Sequence, residues 1–272
     1  MTCQGIHYRY GVASTIPEVD SLDVLSTLLQ HESCRSFQPE PVSNTLKALI
    51  YAAGQSAPSK SNLQQYSLIE VTDPLQLQHL REQFPTVNWA FTAPWVVLIL
   101  GDTHRTRQIN AAKGYSFQWN DEDAFLNAAV DSALVMGAMI TAAESIGLGA
   151  CPISKIRKQA SWIADQFDLP RGVFPVCACA FGYSASKSKT ISPRLPQSIV
   201  IHQNTYQPLN LDLIDEYDRT FNKIMGPPEP LYIERYGVPK ESTWSENIGR
   251  QTSIDERSDF KTLCVKNQLF KP

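Results

Sequence analysis

The chain is poor in the short signatures that usually mark a reaction. Its six cysteines include no Cys-x-x-Cys pair and its five histidines (His7, His31, His79, His104, His202) are scattered, so no paired metal-ligand spacing exists. No Gly-x-Ser-x-Gly segment presents a serine nucleophile, and no Gly-Lys-Ser/Thr closes a phosphate loop. The nearest approach to a dinucleotide fingerprint, Gly147-Leu148-Gly149-Ala150-Cys151-Pro152, lacks the last glycine and follows a helical pattern where a strand is required. Excess positive charge is also absent: a net charge of -3 argues against a protein that coats nucleic acid. The longest apolar stretch, residues 124–150, contains Asn127, Asp131 and Glu144, which are costly in lipid, so no membrane span is expected. The first ten residues lack the basic-then-apolar order of a secretory leader, and the expectation is a cytoplasmic protein.

What is present has the composition of an ordinary folded protein, 43% hydrophobic and 19% charged. Helical spacing predicts a helix over 20–31, with Asp20 or Ser21 as its cap, and a second helix capped by Ser43. Strands are expected at 66–71, 95–100, 174–183 and 199–202, and short helices at 75–84 and 161–167. The run 95–100 is continuously apolar, as a strand buried on both faces should be. Cys177 and Cys179 alternate within an apolar run and should share one face, as small buried hydrophobes. Between Asn120 and Ile146 the chain is rich in alanine and apolar nearly all round. That helix must be covered on every side, within one subunit or between two. Past Pro208 the chain turns polar and mixed. The organisation read from this is an N-terminal extension (1–20), a main domain (21–207) and a C-terminal excursion (208–272) that wraps the domain or a partner subunit.

Three polar clusters sit among these apolar segments: His31-Glu32-Ser33-Cys34-Arg35-Ser36-Phe37, Ala57-Pro58-Ser59-Lys60-Ser61-Asn62-Leu63-Gln64 and Ser192-Pro193-Arg194-Leu195-Pro196. Hydroxyls, an amide and arginines suit a phosphate and a heteroaromatic ring better than they suit a core. Cys34 lies between the polar positions and reads as a space-filler.

His31-x-Ser33-x-Arg35-x-Phe37 resembles the cofactor motif of the FMN-dependent nitroreductase family, nearest its NADPH-preferring branch of oxygen-insensitive nitroreductases and flavin reductases. The likeness continues through Ser59 to Gln64, Ala142-Ala143-Glu144-Ser145-Ile146-Gly147-Leu148-Gly149, Pro193-Arg194-Leu195-Pro196 and Asn204-x-Tyr206-Gln207-Pro208-Leu209. It implies an α+β fold, a mixed and mainly antiparallel sheet flanked by helices, with a long helix central to a homodimer. It implies FMN as cofactor and NADPH or NADH as co-substrate. Arg35 and Arg194 would hold the phosphate, with His31, Glu32, Ser33 and Ser192 beside it. Ser59 and Asn62 would reach the flavin of the neighbouring subunit, and Pro152, Ile153, Ser154 and Lys155 would run along its ring. Arg235 and Lys240 fall where basic tail residues of that branch meet the extra phosphate of NADPH. No side chain is required as acid or base and no metal is expected. Hydride would pass through flavin N5 in ping-pong fashion to a small planar acceptor: a nitroaromatic, a quinone or free flavin.

The chain departs from the pattern in three places. Glu32 stands where the family usually has arginine, Ser192 where the nearer branch has lysine, and Ser154-Lys155 where that branch has two glycines. The first two changes thin the positive charge around the phosphate, with Lys60 as a candidate to compensate. Three readings therefore stay open at this point: an oxidoreductase, a flavin-binding or regulatory dimer of the same fold with little turnover, or a specialised flavoenzyme in which Lys155 or Cys151 acts on an unrelated substrate.

Overall fold

The computed structural model describes residues 23–119, 121–186 and 190–269. Its strands are β1 (Tyr66–Glu70), β2 (Trp95–Asp102), β3 (Gly149–Ile153) and β4 (Val173–Gly182). The helices, in chain order, are α1 (Asp23–Leu29), α2 (Asn44–Gln55), α3 (Pro74–Gln83), α4 (His104–Ala112), α5 (Glu122–Ser145) and α6 (Ala160–Gln166). They continue with α7 (Gln197–Val200), α8 (Leu211–Met225), α9 (Ile233–Tyr236), α10 (Trp244–Thr252) and α11 (Ser258–Lys266). The expected extension at 1–20 and the caps Asp20 and Ser21 lie outside the described residues.

The sheet has the order β1-β2-β4-β3, with every neighbouring pair antiparallel. The expected mixed character reduces, among the described residues, to one parallel bridge between Ser33 and Ala150. Every residue of β2 is buried, because its alternating side chains feed two cores. Val96, Leu98 and Leu100 pack with Leu80, Phe91 and Ile163. Val97 and Ile99 pack with Tyr66, Val135, Met139 and Phe181, and Cys177 and Cys179 share that second face as expected. A register shift opposite Ile99 and Leu100 leaves Val176 as an extra residue of β4, next to Pro175, which has no N–H for a regular ladder. The Arg157 guanidinium donates to the carbonyl of Val176. Burial, and then the charge of Arg257, depresses the pKa of Arg157.

Ser43 caps α2 as read, its hydroxyl accepting from the Leu46 N–H at 3.3 Å. Asp121 caps α5, accepting from Ala124 N–H at 2.8 Å, and Glu122 and Asp123 place negative charge in its first turn. With 24 residues α5 is about 36 Å long. It is the one helix among the described residues long and apolar enough to cross a membrane, yet Asp131 and Ser132 lie buried at its middle against protein partners. Among the described residues one side of α5 is covered; Leu126, Val130 and Leu134, four residues apart, are 57%, 46% and 41% exposed.

By contacts the chain divides into two units, whose boundaries differ from 21–207 and 208–272. Residues 33–186 group with 256–269, and 23–32 group with 190–255. Two pairings explain the difference. Asp259 accepts from the Ser161 N–H and hydroxyl at 2.7 and 2.8 Å, joining α11 to the start of α6. In the other unit the Tyr217 hydroxyl donates to Pro193 O at 3.0 Å, and the Tyr217 and Trp244 rings meet edge-on at 5.1 Å. There Asp218 takes the N–H and hydroxyl of Ser245, and buried Arg250 donates to Glu246 and to the carbonyls of Leu231 and Gly237. The strand expected at 199–202 is instead the short helix α7. Pro196 starts a turn, and Ile201 N–H reaches back to Gln197 O at 2.7 Å.

Candidate functional site

The polar segment from Ser33 to Gln38 is stitched in at both ends. Cys34 N–H donates to Ala150 O at 2.9 Å, and Gln38 N–H to Tyr183 O at 2.8 Å. The stitching forces alternation: Cys34 is buried with its thiol on Ser36 O, whereas Arg35 points out and is exposed. Gly149 makes the close approach possible, since a Cβ there would lie 2.6 Å from Cys34 Cβ and 2.7 Å from its sulfur. Cys151 follows Ala150 on β3 and is buried. Burial pushes its thiol pKa up and the Arg35 charge only partly offsets this, so it is no activated nucleophile.

Pro152 and Ile153 end β3, an edge strand whose outer side is bonded, among the described residues, only at Ala150. Ser154 and Lys155 begin the 3-10 turn that follows, and neither has positive φ. The missing glycine pair therefore carries no backbone strain here. The Ser154 hydroxyl accepts from Arg257 at 3.1 Å, tying this turn to the residues before α11. Lys155 is half-buried and forms no ion pair among the described residues, while Lys158 pairs with Glu256 at 2.6 Å.

The loop with Ser59 and Asn62 is held in an unusual backbone: Ser61, Asn62 and Gln64 have φ of 52°, 57° and 51°. The Ser59 hydroxyl is engaged inside the loop's own network. It donates to Asp131 at 2.7 Å and accepts from Gln64 N–H at 2.7 Å. Asn62 is exposed. Lys60 lies 4.6 Å over the Trp119 ring, a partner that the sequence reading did not foresee.

In the unit 23–32 with 190–255, His31 and Glu32 follow α1 and are half-buried. Ser192 and Arg194 line a cavity of about 570 Å³ with Tyr217, Phe221 and Trp244. Arg235 is exposed, 5.4 Å from the Tyr236 ring. Lys240 borders a second cavity, of about 500 Å³, in the company of Asp215, Asp218, Glu241 and Glu246. Sequence reasoning missed Asp131 as a site residue, and also Arg105 and Arg257. A lone acid amid alanine and valine was the signal available for Asp131. Nothing local marks the other two.

The residues fit a phosphorylated flavin on one shared property. Arg35 and Arg194 are both exposed and un-ion-paired among the described residues, and each is bent back on a carbonyl two residues earlier, Ser33 O at 3.5 Å and Ser192 O at 3.3 Å. Uncommitted guanidiniums on short anchored segments are what a phosphate dianion requires.

Comparison with known proteins agrees. The nitroreductase family matches residues 28–183, and the nitroreductase family C-terminal domain matches 192–271. An FMN reductase [NAD(P)H] of Bacillus subtilis is 33% identical over 83% of this chain and 89% of its own length. An oxygen-insensitive NADPH nitroreductase of Salmonella typhimurium is 32% identical over 87% of this chain and 93% of its own. The structure of the NADPH:FMN oxidoreductase of Vibrio harveyi, complexed with NAD+, superposes with a TM-score of 0.80 at 27% identity, covering 91% of this chain and 98% of that one. The chain belongs to the nitroreductase family, in its branch of NADPH-dependent nitroreductases and flavin reductases.

Proposed function

We propose that the protein is an FMN-dependent NAD(P)H oxidoreductase that reduces small planar acceptors: nitroaromatics, quinones or free flavin. The observation that carries this reading is the pair of exposed guanidiniums, Arg35 and Arg194, neither neutralised by a carboxylate among the described residues. Both are assigned to the FMN phosphate, with Ser33 and Ser192 beside them. Bound FMN supplies the hydride-carrying centre, so the side chains bind, orient and tune. The edge of β3 from Pro152 to Lys155 is assigned to the flavin ring, and the half-buried ammonium of Lys155 favours negative charge on it. Asn62 is assigned to the flavin. The Ser59 hydroxyl, already committed within its loop, serves the loop's shape. Arg235 is assigned to the extra phosphate of NADPH, and Lys240, among four acids, contributes less. One pocket serving two substrates in turn gives ping-pong kinetics.

The working form is a homodimer. The exposed stripe Leu126, Val130 and Leu134 supports it, because a helix apolar all round but covered on one side in a single chain needs a second surface. The five described cysteines are all free, which supports a cytoplasmic place.

The test is the absorbance spectrum of the purified protein. A yellow protein bleached by NADPH without oxygen is the expected result. A yellow protein that neither NADPH nor NADH bleaches would overturn the oxidoreductase reading, and a colourless protein that ignores added FMN would overturn the cofactor.

A further inference from the structure

The segment Ser59–Gln65 departs from ordinary backbone more than any other among the described residues. Three of its non-glycine residues, Ser61, Asn62 and Gln64, sit in the left-handed region. Each such residue costs free energy that glycine would not, and a loop of this kind persists only if its surroundings over-determine it. The structure shows what does so. Asp131, 1% exposed at the middle of α5, accepts from the Ser59 hydroxyl at 2.7 Å, Lys60 N–H at 3.1 Å and Gln65 N–H at 3.0 Å. From the other side Arg105 donates to Gln64 O at 2.8 Å and Tyr66 O at 3.1 Å, and pairs with Asp102 at 3.3 Å. A carboxylate thus gathers the loop's N–H groups while a guanidinium gathers carbonyls at its exit.

Asp131 has no cationic partner within salt-bridge distance among the described residues. A buried carboxylate is costly, and here hydrogen bonds to one hydroxyl and two backbone amides offset that cost. Helix packing alone would be served by alanine or valine, as at Ala128 and Val135 one turn to either side. The acid is explained by the loop.

We propose that Asp131, with Arg105, is a positioning residue of the flavin site, holding the left-handed loop in the one shape that presents Asn62 to the cofactor. This rests on the assignment of that loop to FMN. The clamp sets the fraction of molecules whose loop is competent, and apparent affinity scales with that fraction.

The experiment uses the full-length protein, with its FMN removed and titrated back by flavin fluorescence. In Asp131→Asn the amide can accept on one oxygen only, so its NH2 faces at least one loop N–H, donor against donor. FMN affinity is expected to fall about tenfold or more. Ser61→Gly in that background should recover about threefold, because glycine holds φ of 52° without strain. In the wild type, whose loop is already held, Ser61→Gly should change little. Arg105→Gln, from the exposed side and away from the core, should weaken binding in the same direction. Amide hydrogen exchange of Lys60 and Gln65 in the flavin-free protein should quicken in Asp131→Asn whether or not flavin binds.

Unchanged exchange at those amides would overturn the clamp. Quickened exchange with FMN affinity intact would overturn its role in the site. A loss of affinity that Ser61→Gly leaves untouched would also overturn it, placing Asp131's importance in the helix instead. A wild-type chain that takes up no FMN overturns the flavin assignment itself, and the exchange result then stands apart from it.

Discussion

Gly149→Ala isolates the packing that supports Arg35. A Cβ at residue 149 would lie 2.6 Å from Cys34 Cβ and 2.7 Å from Cys34 Sγ. Carbon atoms rest at about 3.5–4.0 Å, so the two backbones must part by about 1 Å. Rotating the Cys34 side chain gives no relief, since its Cβ is fixed by the backbone. The 2.9 Å bond from Cys34 N–H to Ala150 O lies in the same contact, and lengthening it by that amount breaks it. Overpacking of this kind costs about 1–3 kcal/mol. In a chain of this size that lowers the melting temperature by about 2–10 °C. The displaced neighbours are Ser33 and Arg35, and losing one charge-assisted bond to phosphate weakens FMN binding by about ten- to a hundredfold. The assays are thermal unfolding and flavin fluorescence titration on the same protein. Cys34→Gly in the Gly149→Ala background should restore both, whereas Cys34→Ala, which keeps the offending Cβ, should not. Wild-type affinity and melting in Gly149→Ala, or equal rescue by Cys34→Ala, would refute the reasoning.

Arg35→Ala and Arg194→Ala should each raise the FMN dissociation constant by about tenfold or more, and the residual binding should depend less on salt. Glu32→Arg should tighten FMN binding, by removing a negative charge and adding a positive one beside Ser33; equal affinity in a titration would show that Glu32 does not face the phosphate. Arg250→Lys, which cannot reach Glu246, Leu231 O and Gly237 O together, should loosen the turn carrying Arg235. Steady-state kinetics should then show KM for NADPH rising several-fold while KM for NADH and FMN affinity hold. Leu134→Glu puts a charge in the exposed stripe of α5 and should yield monomer by light scattering; an undisturbed dimer would place the interface elsewhere.

Strands β2 and β4 were legible because burial on both faces leaves no room for polar residues, and the length of each run chose strand over helix. Strand β3 escaped notice. Its five residues include Gly149 and Pro152, both poor in strands, and only its position at the sheet edge lets proline stand there. Helix α4 escaped for the opposite reason: none of its residues is buried, so it has no apolar stripe to read. The short helix at Gln197–Val200 was misread as a strand because three apolar residues in a row carry no period.

The same contrast separates the parts of the site. Arg35 and Arg194 were visible because each stands within a short polar motif, and the geometry adds that neither is neutralised by a carboxylate among the described residues. Asp131 meets its loop across 66 to 72 residues of chain, so no local pattern could pair them. In the sequence it served only as a charge that lipid would not tolerate. Yet the physics that excludes Asp131 from lipid also applies inside a protein: a carboxylate among small apolar residues must be met by donors from elsewhere. The donors had to come from a segment rich in hydroxyls with free backbone N–H groups. Ser59-Lys60-Ser61-Asn62-Leu63-Gln64-Gln65 is such a segment, and its left-handed turns leave those N–H groups outside any regular ladder. An isolated acid in an apolar helix therefore requires a polar loop with N–H groups to spare, and the fold supplies Lys60 and Gln65, whose N–H groups the loop's own 3-10 turn at Lys60–Asn62 does not use.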